Sequence, residues 1–223
     1  MKILFGSIVR DGASYLPRYF EQLRSLTSDY EIGLAICEGD SSDNTLAVLN
    51  HAKVNETFNT YLYNYSHNGP KFGSVDVSER WFNIAKTWNY MLDNIVNEFE
   101  EYDYFCYMEA DLIWDKATID KLVEGMEEFD CVAPMSMLGQ EWFYDTWGHR
   151  SNGMNFAATY PYHPYFNDCL RYMPLESAGS CILMKSKVAQ TCRLSLKDAM
   201  IGHDIIKQGY SFVLDKTAIV NHP

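Results

Sequence analysis

Two carboxylates spaced one residue apart, Glu109 and Asp111, follow an apolar and aromatic run that begins at Tyr102. The run predicts a buried strand. Because alternate side chains of a strand share a face, both carboxylates can point the same way at its carboxyl end, where open α/β sheets bind their ligands. Oxygen ligands placed this close favour a hard cation such as Mg²⁺ or Mn²⁺. Taken alone, the pair would more often be a solvated acidic turn after an ordinary strand.

Strands and helices alternate along the chain. Short apolar runs at residues 2–9 and 31–37 predict strands, and apolar residues at three- and four-residue steps at 15–26 and from 46 onwards predict helices. This alternation predicts a parallel sheet with right-handed crossovers. The further predicted strands are 58–65, 129–134, 180–184, 211–214 and 218–220, and the further predicted helices are 79–99, 118–126 and 196–208.

Residues 140–167 differ from the rest of the chain, because they are rich in Tyr, Trp, His, Asn and Gly and show little periodicity. So long a stretch without a clear element inside a compact domain is usually a functional loop or lid. Aromatic rings stack on the apolar faces of sugars and bases, while polar edges pair with hydroxyl groups. Ordinary surface packing is the alternative. The candidate ligand-binding residues here are Trp142, Tyr144, Asp145, Trp147, His149 and Arg150.

Composition and charge limit the classes of function. The 223 residues, 47% hydrophobic and 22% charged, suit one globular domain without a membrane span, and the first residues form a strand pattern rather than a signal peptide. We therefore expect a cytoplasmic protein. The net charge of −12 argues against general affinity for nucleic acid or anionic membrane. A phosphorylated ligand would need a metal or local basic residues to bind.

The six cysteines predict neither a zinc site nor a disulfide framework. They show no CxxC spacing, and Cys37, Cys106 and Cys131 lie within apolar runs. Thiols in such positions are usually reduced and buried.

Four motifs in order resemble the GT-A fold nucleotide-sugar glycosyltransferases, most closely the family 2 type. Residues 8–17 resemble the opening strand, loop and helix start of that family, and residues 38–45 resemble its acidic turn. Residues 109–114 resemble its metal motif. Residues 202–205, followed by Gly209-Tyr210 and by 218–222, resemble its C-terminal motif. Each motif is weak singly, but together they cover nearly the whole chain.

The resemblance implies a fold and an activity. The fold would be a Rossmann-like α/β domain over residues 1–223, with a mixed, mostly parallel central sheet flanked by helices. Residues 1–115 would form the nucleotide-binding half and 116–223 the acceptor-binding half, with the lid-like loop at 140–167. The activity would be metal-dependent transfer of a sugar from a UDP- or GDP-sugar to a hydroxyl acceptor.

The resemblance also assigns roles to individual residues. Asp111, Glu109 and His222 would bind Mn²⁺ or Mg²⁺, and Asp204, with His203 beside it, would be the general base of an inverting transfer. Further contacts to the nucleotide sugar would come from Glu38, Asp11, Arg80 and Lys86, alongside Glu109 and Asp111, and the acceptor would contact the loop residues named above.

Each assigned residue also has an ordinary structural explanation. Glu38 could cap a turn, Lys86 could lie on a solvated helix face, and Asp204 could be a helix N-terminal acid stabilised by the dipole. His203 could be an exposed helix residue. His222 lies close to the end of the chain, where the default is a frayed surface residue.

The chain departs from the family pattern at several positions, and these leave the stereochemistry open. Glu replaces Asp at 38 and 109, Gly39 lacks a carboxylate, and His203 replaces a Glu. Residues 144–147, and the helix that carries Arg80, Ala85 and Asn89, look more like eukaryotic mannosyl- and xylosyltransferases, some of which retain configuration.

Two other functions stay open at this stage. A nucleotidyltransferase would need a glycine-rich, basic phosphate loop after the first strand, and residues 10–13 match that pattern poorly. A non-catalytic carbohydrate-binding module on the same fold is possible, although Asp111, Asp204 and His222 argue against it. The acceptor could be a glycan, protein, lipid or hydroxylated nucleobase, and the acidity makes a long polyanion less expected.

Overall fold

The computed structural model describes residues 1–73, 75–166 and 169–223, and its main feature is a twisted sheet of nine strands. The strands are β1 (Lys2–Val9), β2 (Glu31–Glu38), β3 (Asn59–Asn64), β4 (Tyr104–Met108), β5 (Cys131–Leu138), β6 (Trp142–Phe143), β7 (Arg150–Ser151), β8 (Met154–Asn155), β9 (Tyr172–Pro174), β10 (Cys181–Lys185) and β11 (Phe212–Asn221). In the sheet they follow the order β3-β2-β1-β4-β10-β5-β11-β9, with β6 paired to β5, while β7 and β8 form a separate hairpin.

In the part of the chain that the structure describes, six helices connect these strands, together with a 3₁₀ turn at Glu98–Glu101. The helices are α1 (Leu16–Arg24), α2 (Thr45–Asn55), α3 (Ser78–Asn94), α4 (Lys116–Gly125), α5 (Ser186–Thr191) and α6 (Gly202–Lys207).

The first half of the sheet is parallel, so its loops meet at one edge. β1 pairs with β2 and β4, and β2 pairs with β3, all in parallel. In this register Val9 lies opposite Glu38, and Glu38 lies opposite Asn64, so three strands end side by side. This edge is where an open α/β sheet binds a ligand.

The second half makes the sheet mixed and extends the same edge. β10 runs antiparallel between β4 and β5, so the residues that precede it reach the end of β4, and Glu109 N donates to Ser180 O at 2.9 Å. β11 is parallel to β5, and Asn221 at its end exchanges two main-chain hydrogen bonds of 2.8 Å with Ile113. The chain terminus is thereby held beside the residues that follow β4. The predicted mixed, mostly parallel sheet is confirmed.

Helices pack on both faces of the sheet, and its central strands carry apolar side chains on both sides. In β1, Leu4 belongs to the core layer that contains Trp88 of α3, while Ile3 and Phe5 belong to the layer that contains Leu16 of α1. Such burial on both faces is typical of parallel strands between helices.

Two predicted segments differ from the structure. Residues 140–167 were expected to lack elements, but the described part carries β6, β7 and β8, and Phe143 and Phe156 are buried; Asn167 lies outside the described residues. The helix expected over 196–208 is limited to α6, because Ala199 has a φ of 57°, which an α-helix does not accommodate. The lid role of 140–167 stays a prediction.

Two simpler predictions concern the cysteines and the membrane. Cys37, Cys106 and Cys131 are buried, as expected. Within residues 1–73, 75–166 and 169–223, no helix combines the length and apolarity needed to cross a bilayer.

Candidate functional site

Two adjoining hollows lie at the carboxyl edge of the parallel strands. The β1–β2 hollow, of about 250 Å³, is lined by the ends of β1 and β2 and by Arg10, His67, Lys71 and Thr87. The β4 hollow, of about 380 Å³, contains the residues that follow β4, among them Glu109. Arg80 and Ile84 of α3 line both hollows, so the two are joined along that helix.

The two predicted carboxylates lie at this edge. Glu109 lines the β4 hollow, and burial raises the pKa of its carboxyl to about 8, with repulsion from Asp111 and Asp145 acting in the same direction. Asp111 is more open, with 33% of its side chain exposed. Arg18 of α1 donates to its main-chain oxygen. The carboxyl groups crowded at this edge oppose one another's ionisation, and a bound cation would favour their charged forms.

His222 meets Asp111, as the motif order implied. Its Nε2 lies 3.5 Å from Asp111 Oδ2, and its main-chain N donates to Met137 O at 2.8 Å. The ring stacks on Tyr144 with centroids 3.8 Å apart and planes 17° from parallel. Burial, followed by the nearby Glu109 and Asp111, raises the pKa of Tyr144 to about 12, so this ring stays a neutral phenol beside the imidazole.

Asp111 and His222 together suit a divalent cation whose remaining ligands come from a substrate. Mg²⁺ commonly takes one or two carboxylates from the protein and further oxygens from substrate phosphates and water. In the described ranges, no group of three or more His, Cys, Asp or Glu side chains is arranged to hold a metal ion. The oxygen and nitrogen donors of Asp111 and His222 fit a shared site of this kind rather than a closed structural one.

Asp145 lies in the wall of the β4 hollow, and its hydrogen bonds go to the protein itself. Its Oδ1 accepts from Gly148 N at 2.9 Å, and its Oδ2 accepts from Gly179 N at 2.9 Å and Ser180 N at 3.2 Å. The ring of His149, which is fully buried, bonds to the same Oδ2 at 3.0 Å. Burial opposes the charge, but these partners hold the pKa of Asp145 below its ordinary value. We conclude that Asp145 ties the loop after β6 to the start of β10.

Replacing Asp145 with Asn should lower the free energy of unfolding by about 3 kcal/mol, because the amide NH₂ must face at least one of these donors. For a chain of this size we expect Tm to fall by about 6–12 °C. Thermal unfolding followed by circular dichroism measures the shift. The control is Asp29→Asn, whose exposed carboxylate lies 3.7 Å from Lys116 and should contribute little. Equal Tm values for the two variants would contradict the anchoring role.

Glu38 and Asp11, predicted to contact the nucleotide, also bind neighbouring loops. Glu38 is 3% exposed, and its two oxygens accept from Ser41 N at 2.8 Å and Asn64 Nδ2 at 2.6 Å. Asp11 accepts from Ser42 N at 2.7 Å and pairs with Lys71. Lys71 and Ser42 hold the pKa of Asp11 far below its ordinary value. Neither carboxylate lines the β1–β2 hollow, although Asp11 pairs with Lys71, which does. Their contact with a nucleotide stays a prediction.

The basic residues differ from the predicted set. Arg80 lines both hollows as expected of a diphosphate partner, whereas Lys86 lines neither and places its ammonium 5.2 Å from the ring of Phe82. Arg10 and Lys71 line the β1–β2 hollow and were not predicted. The sequence feature that could have identified Lys71 is its position directly after Asn68-Gly69-Pro70, a turn sequence that interrupts the periodic elements.

The candidate acceptor residues divide into three groups. Tyr144, Asp145 and Trp147 line the β4 hollow, and Trp147 stacks on Trp81 of α3 at 5.3 Å with planes 6° apart. Trp142 is 51% exposed and lines neither hollow. His149 is buried behind Asp145, and Arg150 lies on the far side of Trp147, with its guanidinium carbon 5.7 Å from that ring.

Asp204 and His203 begin α6 outside the two hollows. Asp204 Oδ2 accepts from Arg193 N at 3.0 Å, and His203 Nε2 lies 2.8 Å from Asp198 Oδ2. Ala199 and Met200, in the segment that leads into α6, do line the β4 hollow. The segment is therefore next to the cleft, while the role of Asp204 as a base stays a prediction.

Comparison with known proteins shows the fold. No family model matches the sequence, and no curated protein matches it. Among solved structures, the chain is similar to the mannosyltransferase PcManGT from Pyrobaculum calidifontis in complex with GDP-Man and Mn²⁺, with 12% identity and a TM-score of 0.59 over 98% of this chain and 56% of that one. It is also similar to TarS from S. aureus in complex with UDP-GlcNAc, with 12% identity and a TM-score of 0.56 over 99% of this chain and 58% of that one. The chain thus spans somewhat more than half the length of either structure.

Proposed function

We propose that this protein transfers a sugar from a nucleotide-sugar donor to a hydroxyl group of an acceptor. The observation that carries the proposal is the meeting of Asp111 and His222 just beyond the end of β4, two residues after Glu109, which lines the β4 hollow. The motif order in the sequence and the shared fold support the same activity, since both structures described above hold a nucleotide sugar.

The two hollows suit the two parts of such a donor. The β1–β2 hollow would take the nucleoside, because it lies between the ends of parallel strands, as in other nucleotide-binding sheets. Arg10, Lys71 and Arg80 supply positive charge there in a chain of net charge −12. The β4 hollow would take the sugar, since Trp81, Tyr144 and Trp147 offer ring faces while Glu109 and Asp145 offer polar atoms.

A divalent cation would bind beside the diphosphate that joins these two parts of the donor. Asp111 and His222 would hold Mn²⁺ or Mg²⁺ together with oxygens of the diphosphate, and Mn²⁺ is present in the PcManGT complex. When bound, the cation would neutralise the charge that collects on the departing diphosphate, which is worth several kcal/mol. Tyr144 would keep the His222 ring in place through their stacking contact.

Inverting transfer with Asp204 as the base is the finer part of the proposal. The acceptor oxygen forms a bond to the anomeric carbon while the bond from that carbon to the β-phosphate oxygen breaks, and the hydroxyl proton passes to a carboxylate. In this structure the Asp204 carboxylate is bound to Arg193 N, outside the hollows. Its role as base therefore requires the segment that begins at Ala199 to move when substrates bind.

Titration calorimetry combined with a turnover assay tests the activity. We expect UDP or GDP to bind more tightly with Mn²⁺ than with EDTA, and the matching nucleotide sugar to release free nucleotide over time. Binding without any release, with a broad panel of hydroxyl acceptors present, would instead favour a non-catalytic sugar-binding module. Absence of binding by every nucleotide would contradict the proposal.

A further inference from the structure

We propose that a third hollow binds a neutral pyranose unit of the acceptor; its assignment to the acceptor rests on the function proposed above. The hollow, called here the Arg150 hollow, has a volume of about 370 Å³. The residues that line it include Arg150, Gly153, Asn155, Glu176, Ser177 and His203.

Among the described residues, two in the wall of this hollow carry buried hydrogen-bond donors without a partner. Ser177 is 1% exposed, and within the described ranges its Oγ has no hydrogen-bond partner. The buried Nε of Arg150 has none there either, and its Nη1 lies 3.7 Å from Asp198 Oδ2, which is longer than a hydrogen bond. Leaving buried polar atoms unpaired costs free energy, so such atoms usually have a ligand or water as partner.

Acceptor groups lie in the same hollow. Both oxygens of the Glu176 carboxylate accept from Gly153 N, at 3.0 and 3.2 Å, and each oxygen keeps room for a second hydrogen bond. A hydroxyl group both donates and accepts, so adjacent hydroxyls of a sugar can pair with Glu176 and with Ser177 or Arg150 together. Arg150 and Glu176 carry opposite charges in this hollow, so neither sign of ligand charge is favoured on balance, and a neutral sugar fits it.

The Arg150 hollow shares two walls with the β4 hollow. One wall is the loop after β6: Asn155 Nδ2 donates to Thr146 O at 3.1 Å and Trp147 O at 3.3 Å, and Trp147 also lines the β4 hollow. The other wall is the segment in which Met200 lines the β4 hollow and His203 lines the Arg150 hollow. A sugar bound here would sit beside the donor without occupying its place, which is the position that an acceptor requires.

Saturation-transfer difference NMR with a panel of neutral methyl pyranosides tests this site without nucleotide or turnover. We expect at least one methyl pyranoside to bind, and its affinity to fall about tenfold in Ser177→Ala and in Glu176→Ala. Since Ser177→Ala removes an unpaired buried hydroxyl, its Tm should be equal to or higher than that of the wild type. Glu127→Ala, at an exposed residue outside the hollow, is the matched control and should bind as the wild type does.

Four outcomes would overturn the proposal: no binding by any neutral methyl pyranoside, unchanged binding in both hollow variants, binding of methyl glucuronides or glucosaminides alone, or displacement of the sugar by a nucleotide sugar. The last outcome would make the hollow a donor site. Failure of nucleotide binding with retained, variant-sensitive sugar binding would contradict the glycosyl transfer and leave a sugar site in place. The two proposals therefore fail separately.

Discussion

Replacing Asp111 with Asn should lower the affinity for UDP or GDP in the presence of Mn²⁺ by roughly 100-fold, as the loss of several kcal/mol of charge stabilisation implies. The substitution removes the negative charge of Asp111, one of the two side chains that meet at the edge of the sheet, and leaves His222 in place. The affinity in EDTA should change much less, because Asp111 attracts the diphosphate only through a bound cation, which EDTA removes. Titration calorimetry with and without Mn²⁺ gives both values.

The matched control is Asp103→Asn, which makes the same change next to the opposite end of β4. Asp103 accepts from Lys2 N at 2.8 Å, far along the strand from the two hollows. This variant should bind nucleotide with the wild-type response to Mn²⁺. An Asp111→Asn protein with that same response would show that the cation, if one binds, is held elsewhere.

Replacing Asp204 with Asn should slow transfer by roughly 100- to 10,000-fold, the range expected for loss of a general base. Nucleotide affinity and its response to Mn²⁺ should stay as in the wild type, since Asp204 lines neither donor hollow. Turnover with the accepted nucleotide sugar, together with calorimetry on the same protein, separates the two effects.

A second variant separates loss of the base from loss of the hydrogen bond between Asp204 and Arg193. Because Asp204 bonds to Arg193 N, its loss could disturb the chain around Arg193 rather than proton transfer. Asp93→Asn removes the other acidic partner of Arg193, at 2.7 Å from its Nε, and should keep full transfer. Transfer by Asp204→Asn at the wild-type rate would exclude this residue as the base and favour a retaining course.

The order of elements was predictable from periodicity wherever a segment keeps one period. β1 and β2 are mostly apolar and buried, and α3 places Ala85, Trp88 and Leu92 on one buried face. The helix predicted over 196–208 was too long. The apolar residues keep a helical spacing through Ala199, but the backbone of Ala199 is left-handed. The strands within 140–167 were not predicted, because strands of two residues, such as β7, are too short to show an alternation of apolar and polar residues.

The meeting of Asp111 with His222 was predictable only from the order of motifs. No local pattern links positions so far apart, and the pairing of Asn221 with Ile113 that joins them depends on the position of β11 in the sheet. The role of Asp145 in joining two loops could not be predicted. Three of its partners are main-chain N–H groups, which nearly every residue type has. For Glu38, the bond from Ser41 N agrees with the turn cap that the sequence allowed, whereas the bond from the Asn64 side chain depends on the pairing of β2 with β3.

The most direct test is a crystal structure with Mn²⁺ and the nucleoside diphosphate that binds best, using the anomalous signal of manganese. The account predicts one strong peak within bonding distance of both Asp111 and His222, a diphosphate beside it, and the nucleoside in the hollow lined by Arg10 and Lys71. A diphosphate bound away from the end of β4, or a manganese peak that touches neither Asp111 nor His222, would contradict it.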